Sequence, residues 1–168
     1  MALTPKPKPK DLARLADPNS SIGYLSRITF RSFSRAMERR SLPFGVSGGQ
    51  WRFLRQLWVE DGLTQRELSR RVGMREPTTV TAVNSLVRSG FVERVPSLKD
   101  RRKIHIHLTE RAKALQAELL PCVAEVNALA TQGVDPADLN VFIRVLNQIN
   151  ANLADEADEP LVYGDESP

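Results

Sequence analysis

Lys99, Asp100, Arg101, Arg102 and Lys103 form an unbroken run of charge inside PSLKDRRKIHIHLT, residues 96–109. Four cations around one carboxylate suit a polyanion. The second half of the segment alternates Ile104, Ile106 and Leu108 with polar residues, the pattern of a strand with one buried face. The charges therefore fall at the tip of a hairpin, and a plain solvated turn is the simplest alternative.

Other candidate chemistry is thinner. His105 and His107 share a strand face and could both touch a metal, but two imidazoles without a third ligand nearby make a weak site; solvent-facing histidines are the expectation. Gly48-Gly49-Gln50 matches the catalytic tripeptide of peptide-release factors, yet it stands directly before the apolar pattern Trp51, Leu54, Leu57 and Trp58, which favours a helix cap. Cys122 is the only cysteine, which excludes an internal disulfide, and its apolar neighbours suggest a buried structural thiol of low reactivity. The chain has no glycine-rich phosphate loop and no HExxH. The expectation is no catalytic residue, no metal and no cofactor.

Charge is concentrated in one third of the chain. Formal net charge is +4, but residues 64–113 hold twelve Lys or Arg against five Asp or Glu, so a basic region stands in an otherwise neutral body. That is the electrostatic footprint of a nucleic-acid binder, although a solvated basic face would look the same. A hydrophobic content of 41% across 168 residues supports a real core. With neither a secretory leader nor a membrane span in view, and one lone thiol, the cytoplasm is the expected compartment. The lysines of PKPKPK and the six acids after residue 154 mark tails expected to be disordered, over residues 1–17 and 155–168.

The elements that must position these charges follow from periodicity. Residues 18 to about 40 place Ile22, Leu25, Ile28, Phe33 and Met37 at helical spacing. Ser47 to Gln50 reads as a capping box opening a second helix to about Glu60, and Thr64 to Glu67 as another, opening a short helix closed by Gly73 with Leu68 and Val72 inside and Arg66, Ser69 and Arg70 outside. Pro77 suits the first turn of the next helix, with Val80, Val83, Leu86 and Val87 on one side and Thr78, Thr81, Ser85 and Arg88 on the other. Small hydrogen-bonding side chains facing out make that helix slim enough for a major groove. Gly90 stops it, FVERV and KIHIHL supply two strands, and the sum is a winged helix-turn-helix. A wing beside a reading helix can push a long cation into the minor groove, which gives the charged tip a purpose. Thr109 caps a long helix holding Leu115, Leu119, Leu120, Val123 and Val126, which Pro121 should kink unless a new helix begins there. Asp135-Pro136 starts a last helix with Leu139, Phe142, Ile143, Leu146, Ile149 and Leu153.

VSGGQWRFL, GLTQRELSRRVGMREPTTVTAVNSLVRSGFVERV and above all DRRKIHIHLTERAKAL resemble the multiple-antibiotic-resistance regulator (MarR) family of transcription factors, over roughly residues 20–154. The resemblance implies a mostly α fold with a small β wing: an N-terminal dimerisation helix at 18–45, a winged helix-turn-helix at 46–109 and C-terminal dimerisation helices at 110–154. It implies a homodimeric repressor that binds a palindromic double-stranded DNA operator and responds to a small aromatic effector. Asp100 would orient Arg102 for the minor groove. With Arg66, Arg75, Thr78, Thr81, Ser85, Arg88, Lys99, Arg101 and Lys103, these two make up the expected DNA-binding set. Thr81 and Ser85 occupy positions where family members often carry Arg or Lys, which turns attention to Arg75 at the helix entrance. Tyr24, Arg27, Arg31 and Trp51 are the expected effector contacts. The rival expectation is a winged-helix protein-interaction module that does not bind DNA; separately, packing of the apolar helices within one subunit is the alternative to dimerisation.

Overall fold

Every α-helix from residue 22 to residue 153 except Glu76–Arg88 begins where a side chain replaces the missing backbone acceptor of its first turn. In the computed structural model, which describes Leu12, residues 16–97, Asp100 and residues 103–154, Ser21 accepts from the Tyr24 amide and opens α1 (Ile22–Ser41). Ser47 and Gln50 close a reciprocal capping box on α2 (Gly48–Val59), and Thr64 and Glu67 close another on the short helix α3 (Gln65–Val72). The Thr64 hydroxyl and amide both donate to Glu67, at 2.6 and 2.8 Å, and hold its carboxyl below the usual carboxylate range. Gly73 closes α3 at φ 72°, and only Met74 and Arg75 separate it from α4 (Glu76–Arg88). α3 and α4 are the helix-turn-helix.

The turn after α4 and the hairpin form one hydrogen-bonded unit. Gly90, at φ 69°, donates to Val87 O and Phe91 donates to Leu86 O, the paired bonds of a Schellman motif. β2 (Val92–Pro96) then pairs antiparallel with β3 (Ile104–Leu108). A third strand, unmarked in the sequence, is β1 (Leu63–Thr64), which pairs Leu63 with Ile106 on the other side of β3. Thr109 caps α5 (Glu110–Ala130), a single helix that runs through Pro121, so no new helix begins there. Asp135 caps α6 (Pro136–Leu153). No helix among the described residues is long and apolar enough to cross a membrane.

The core lies where α2, α3, α4, the hairpin and α5 meet. Phe53, Leu54, Leu57, Leu68, Val83, Leu86, Phe91, Ile106 and Leu119 are all fully buried there. Four sequence expectations need correcting. Ile104 is 45% exposed rather than packed inward, because the hairpin at its level has run past the core. On α4 the buried face is Thr79, Val83 and Leu86, and Val80 and Val87 sit at its exposed edges. Ser69 is buried rather than outward, with its hydroxyl donating to Met74 O to brace the helix-turn-helix turn. His105 and His107 are half-buried: His105 Nδ1 lies 2.7 Å from Gly62 O, and His107 Nδ1 lies 3.5 Å from Asp61 Oδ2, so they clasp the turn before β1.

Thr79 is wholly buried, and among the described residues its hydroxyl has no hydrogen-bond partner. An unmatched buried hydroxyl costs about 1–3 kcal/mol relative to an apolar group of the same shape. Thr79→Val is therefore expected to raise stability by about 1 kcal/mol, read as a higher denaturation midpoint. An unchanged or lower midpoint would mean that the hydroxyl has a use.

α6 stands apart from this core. It has no buried residue, and Val141, Phe142, Ile143 and Leu153 are each about half exposed. The first half of α1 is similar, with Ile22 64%, Leu25 44% and Ile28 40% exposed, whereas Phe33 and Met37 further along pack on α5 and α2.

Candidate nucleic-acid interface

The helix α4 and its N-cap carry five of the eleven residues expected to meet DNA. Arg75 is the N-cap residue, Thr81 and Arg88 are exposed, and Thr78 and Ser85 are half-buried beside them. Thr81 turns its hydroxyl back to Pro77 O at 3.3 Å, as a threonine facing solvent on a helix commonly does. Arg66 on α3 is largely exposed, with its Nε 3.7 Å from Glu76 Oε1 at the start of α4. In the wing, Ser97 N donates to Lys103 O at 2.9 Å, and Lys103 N to Asp100 O at 2.8 Å, which closes the loop at its base. Lys99, Arg101 and Arg102 lie outside the described residues.

Three residues that sequence reasoning left out shape this face. Gln50, only 7% exposed, accepts from Ser47 N and donates to Ser85 Oγ at 3.1 Å and Ser89 Oγ at 2.9 Å, so the cap of α2 also grips α4. A shallow groove of about 450 Å³ runs along this joint, lined by Ser47, Gly49, Gln50, Thr78, Thr81 and Ser85 among others. Arg94 on β2 donates to Asn84 Oδ1 on α4 at 2.7 Å and links wing to helix. The capping box signalled that Gln50 would be held. Nothing local signals the partners across thirty or more residues of chain, nor the pairing of Asn84 with Arg94.

A second concavity, of about 550 Å³, opens between α1, α2 and α5. Phe30, Phe33, Met37 and Trp51 give it apolar walls, and Arg52, Arg55 and Arg71 give it cations. Of the four expected effector contacts, Trp51 alone lines it. Tyr24, Arg27 and Arg31 lie elsewhere on α1, with the Arg27 guanidinium 5.6 Å from the centre of the Tyr24 ring. Arg71 is paired with Glu60, and Arg52 lies over the Phe30 ring at 5.8 Å. Among the described residues no three His, Cys, Asp or Glu are grouped so as to hold a metal.

Known proteins share this architecture. Residues 44–103, from the turn after α1 to the wing, match the model of the MarR family. The chain is 26% identical over 126 residues to the HTH-type transcriptional repressor YetL of Bacillus subtilis, covering 74% of this chain and 75% of that one. The crystal structure of the transcriptional regulator PA3341 is 33% identical, with a TM-score of 0.72, covering 80% of this chain and 99% of that one. A regulator from Listeria monocytogenes assigned to the MarR family and crystallised with a 26-mer DNA shares the fold at 18% identity, with a TM-score of 0.75, over 81% of this chain and 91% of its own. These relatives are regulators and not enzymes. The winged helix-turn-helix, this family match and a 33% identical regulator covered almost end to end agree, and the chain belongs to the MarR family of transcription regulators.

Proposed function

We propose that the protein is a homodimeric repressor that binds a palindromic double-stranded operator through α4 and the wing, and that leaves it when a small aromatic acid occupies the cavity between α1, α2 and α5. The observation that carries the DNA reading is the exposed face of α4. Arg75, Thr81 and Arg88 stand out from it beside a hairpin whose tip sequence is basic, a geometry that fits helix and wing to adjacent grooves. The DNA bound by the Listeria relative and the repressor function of YetL support it. The unpacked apolar faces of α6 and α1 support a dimer, because two identical reading helices are what a palindrome requires. In this reading Arg102 enters the minor groove with Asp100 as its orienting partner, while Lys99, Arg101 and Lys103 contact phosphate.

The test is a salt titration on DNA from the chain's own upstream intergenic region. Log affinity should fall linearly with log salt, by about 0.9 per phosphate contacted and so by several units for two subunits. A flat response would favour the rival protein-interaction module.

The effector reading is testable separately. A cavity of about 550 Å³ is in the range of small-molecule sites, and with Arg71 paired to Glu60 and Arg52 over Phe30, Arg55 at the rim is the cation assigned to the ligand carboxylate. Calorimetry with a panel of aromatic carboxylates should show Arg55→Ala binding about tenfold more weakly. Arg27→Ala and Arg31→Ala, away from the cavity, should bind as wild type does. Unchanged affinity in Arg55→Ala would remove that assignment.

A further inference from the structure

α4 carries its exposed strip between two tethers. At 100° per residue, Thr81 and Arg88 point directly away from the buried face of Thr79, Val83 and Leu86, and Ser85 and Asn84 lie about 50° to either side. Ser85 is tied to α2 through Gln50, and Asn84 to the wing through Arg94. Asn84 and Arg94 are both exposed, so their hydrogen bond adds little to the stability of the fold. It does fix chemistry. A guanidinium only donates, so the carboxamide presents its oxygen to Arg94 and turns its NH₂ group away.

An unrestrained asparagine in a major groove reads adenine in bidentate fashion, accepting from N6 and donating to N7. The guanidinium takes one of the two lone pairs on the Asn84 oxygen and holds that oxygen toward the wing, so the side chain offers the groove chiefly its NH₂ donors. The base edge complementary to donors is that of guanine, which presents O6 and N7 side by side as acceptors. We infer that Asn84 is a base-reading residue selective for guanine, and that Arg94 is the positioning residue that sets this preference; the inference rests on the DNA-binding reading above. Removing Arg94 frees the oxygen to accept from an adenine amino group, so the preference at that base pair moves toward adenine. A merely structural role for either residue would weaken binding to all sequences alike.

Selection of the full-length protein against a random double-stranded library, followed by affinities for single-base variants of the selected site, reads the preference directly. Wild type should favour guanine over adenine by about tenfold at one position per half-site. Asn84→Ala should lose that preference there and nowhere else. Arg94→Ala should level it or turn it toward adenine, and Asn84→Ala in the Arg94→Ala background should abolish whatever preference remains. Both side chains are exposed, so thermal unfolding should be the same in all variants. A selective wild type whose profile is unchanged in both single variants, with affinity lowered uniformly, would overturn the assignment alone. A wild type with no sequence preference would overturn the DNA reading itself, and the assignment with it.

Discussion

Truncation after Thr131 is expected to leave a monomer that binds operator DNA weakly. α6 has no buried residue within its own subunit, yet Val141, Phe142, Ile143 and Leu153 expose large apolar side chains along it, and Ile22, Leu25 and Ile28 of α1 and Leu129 near the end of α5 do the same. Burying one such side chain contributes about 1.5–3 kcal/mol, and contiguous exposed apolar surface on this scale marks an interface. A helix of eighteen residues with so little packing on its own subunit needs a partner surface to be worth ordering. A second copy offers that surface twice over by symmetry. Loss of the dimer separates the two reading helices, so the second half-site is no longer bound within the same complex, and avidity of about 10²–10⁴ disappears. Sedimentation velocity and an anisotropy titration on one operator would measure both effects. A truncated chain that remains dimeric would contradict the proposed interface.

The largest single-residue effect is expected from Phe91→Ala. Phe91 is fully buried, donates to Leu86 O to terminate α4, and accepts at its carbonyl from Thr109 N at 3.0 Å, where α5 begins. Its ring lies beneath the Arg111 guanidinium, 4.7 Å from the centroid. One residue therefore ties α4, β2 and α5 together, through its main chain by these bonds and through its ring by burial at the joint. Truncating a buried phenylalanine costs about 3–5 kcal/mol, a large share of the stability of a domain this size. For a chain of 168 residues that corresponds to a fall in midpoint of about 10 °C, measurable by calorimetry. Phe91→Leu keeps more of the volume and should lose less. A drop of under about 1 kcal/mol for Phe91→Ala would mean that the joint is held by its backbone bonds alone.

Much of this protein was determined by residues that act on their immediate neighbours. Ser47 with Gln50, and Thr64 with Glu67, mark helix starts because a cap is satisfied within three residues, and Gly73 and Gly90 mark helix ends because a left-handed turn favours glycine. The alternation at Ile106 and Leu108 marks a strand for the same local reason, and the order of these signals is enough to specify a winged helix-turn-helix. The excess of Lys and Arg over residues 64–113 was equally plain, since charge is counted residue by residue. What the tertiary structure decided depends on groups distant in the chain. The two residues of β1 are too short for a period, and they become a strand only because β3 offers its free edge. Ser69, polar and on a helix, is buried because the chain folds back at Met74 and supplies an acceptor. Ile104 continues an apolar alternation but projects beyond the core, which ends at Ile106. Phe33 and Trp51 share a cavity, Gln50 holds Ser85, and Arg94 turns Asn84, because helices and strands separated along the chain meet at those points. Periodicity records which face of an element is apolar; which atoms cover that face, and which polar groups they orient, is settled only when the elements pack.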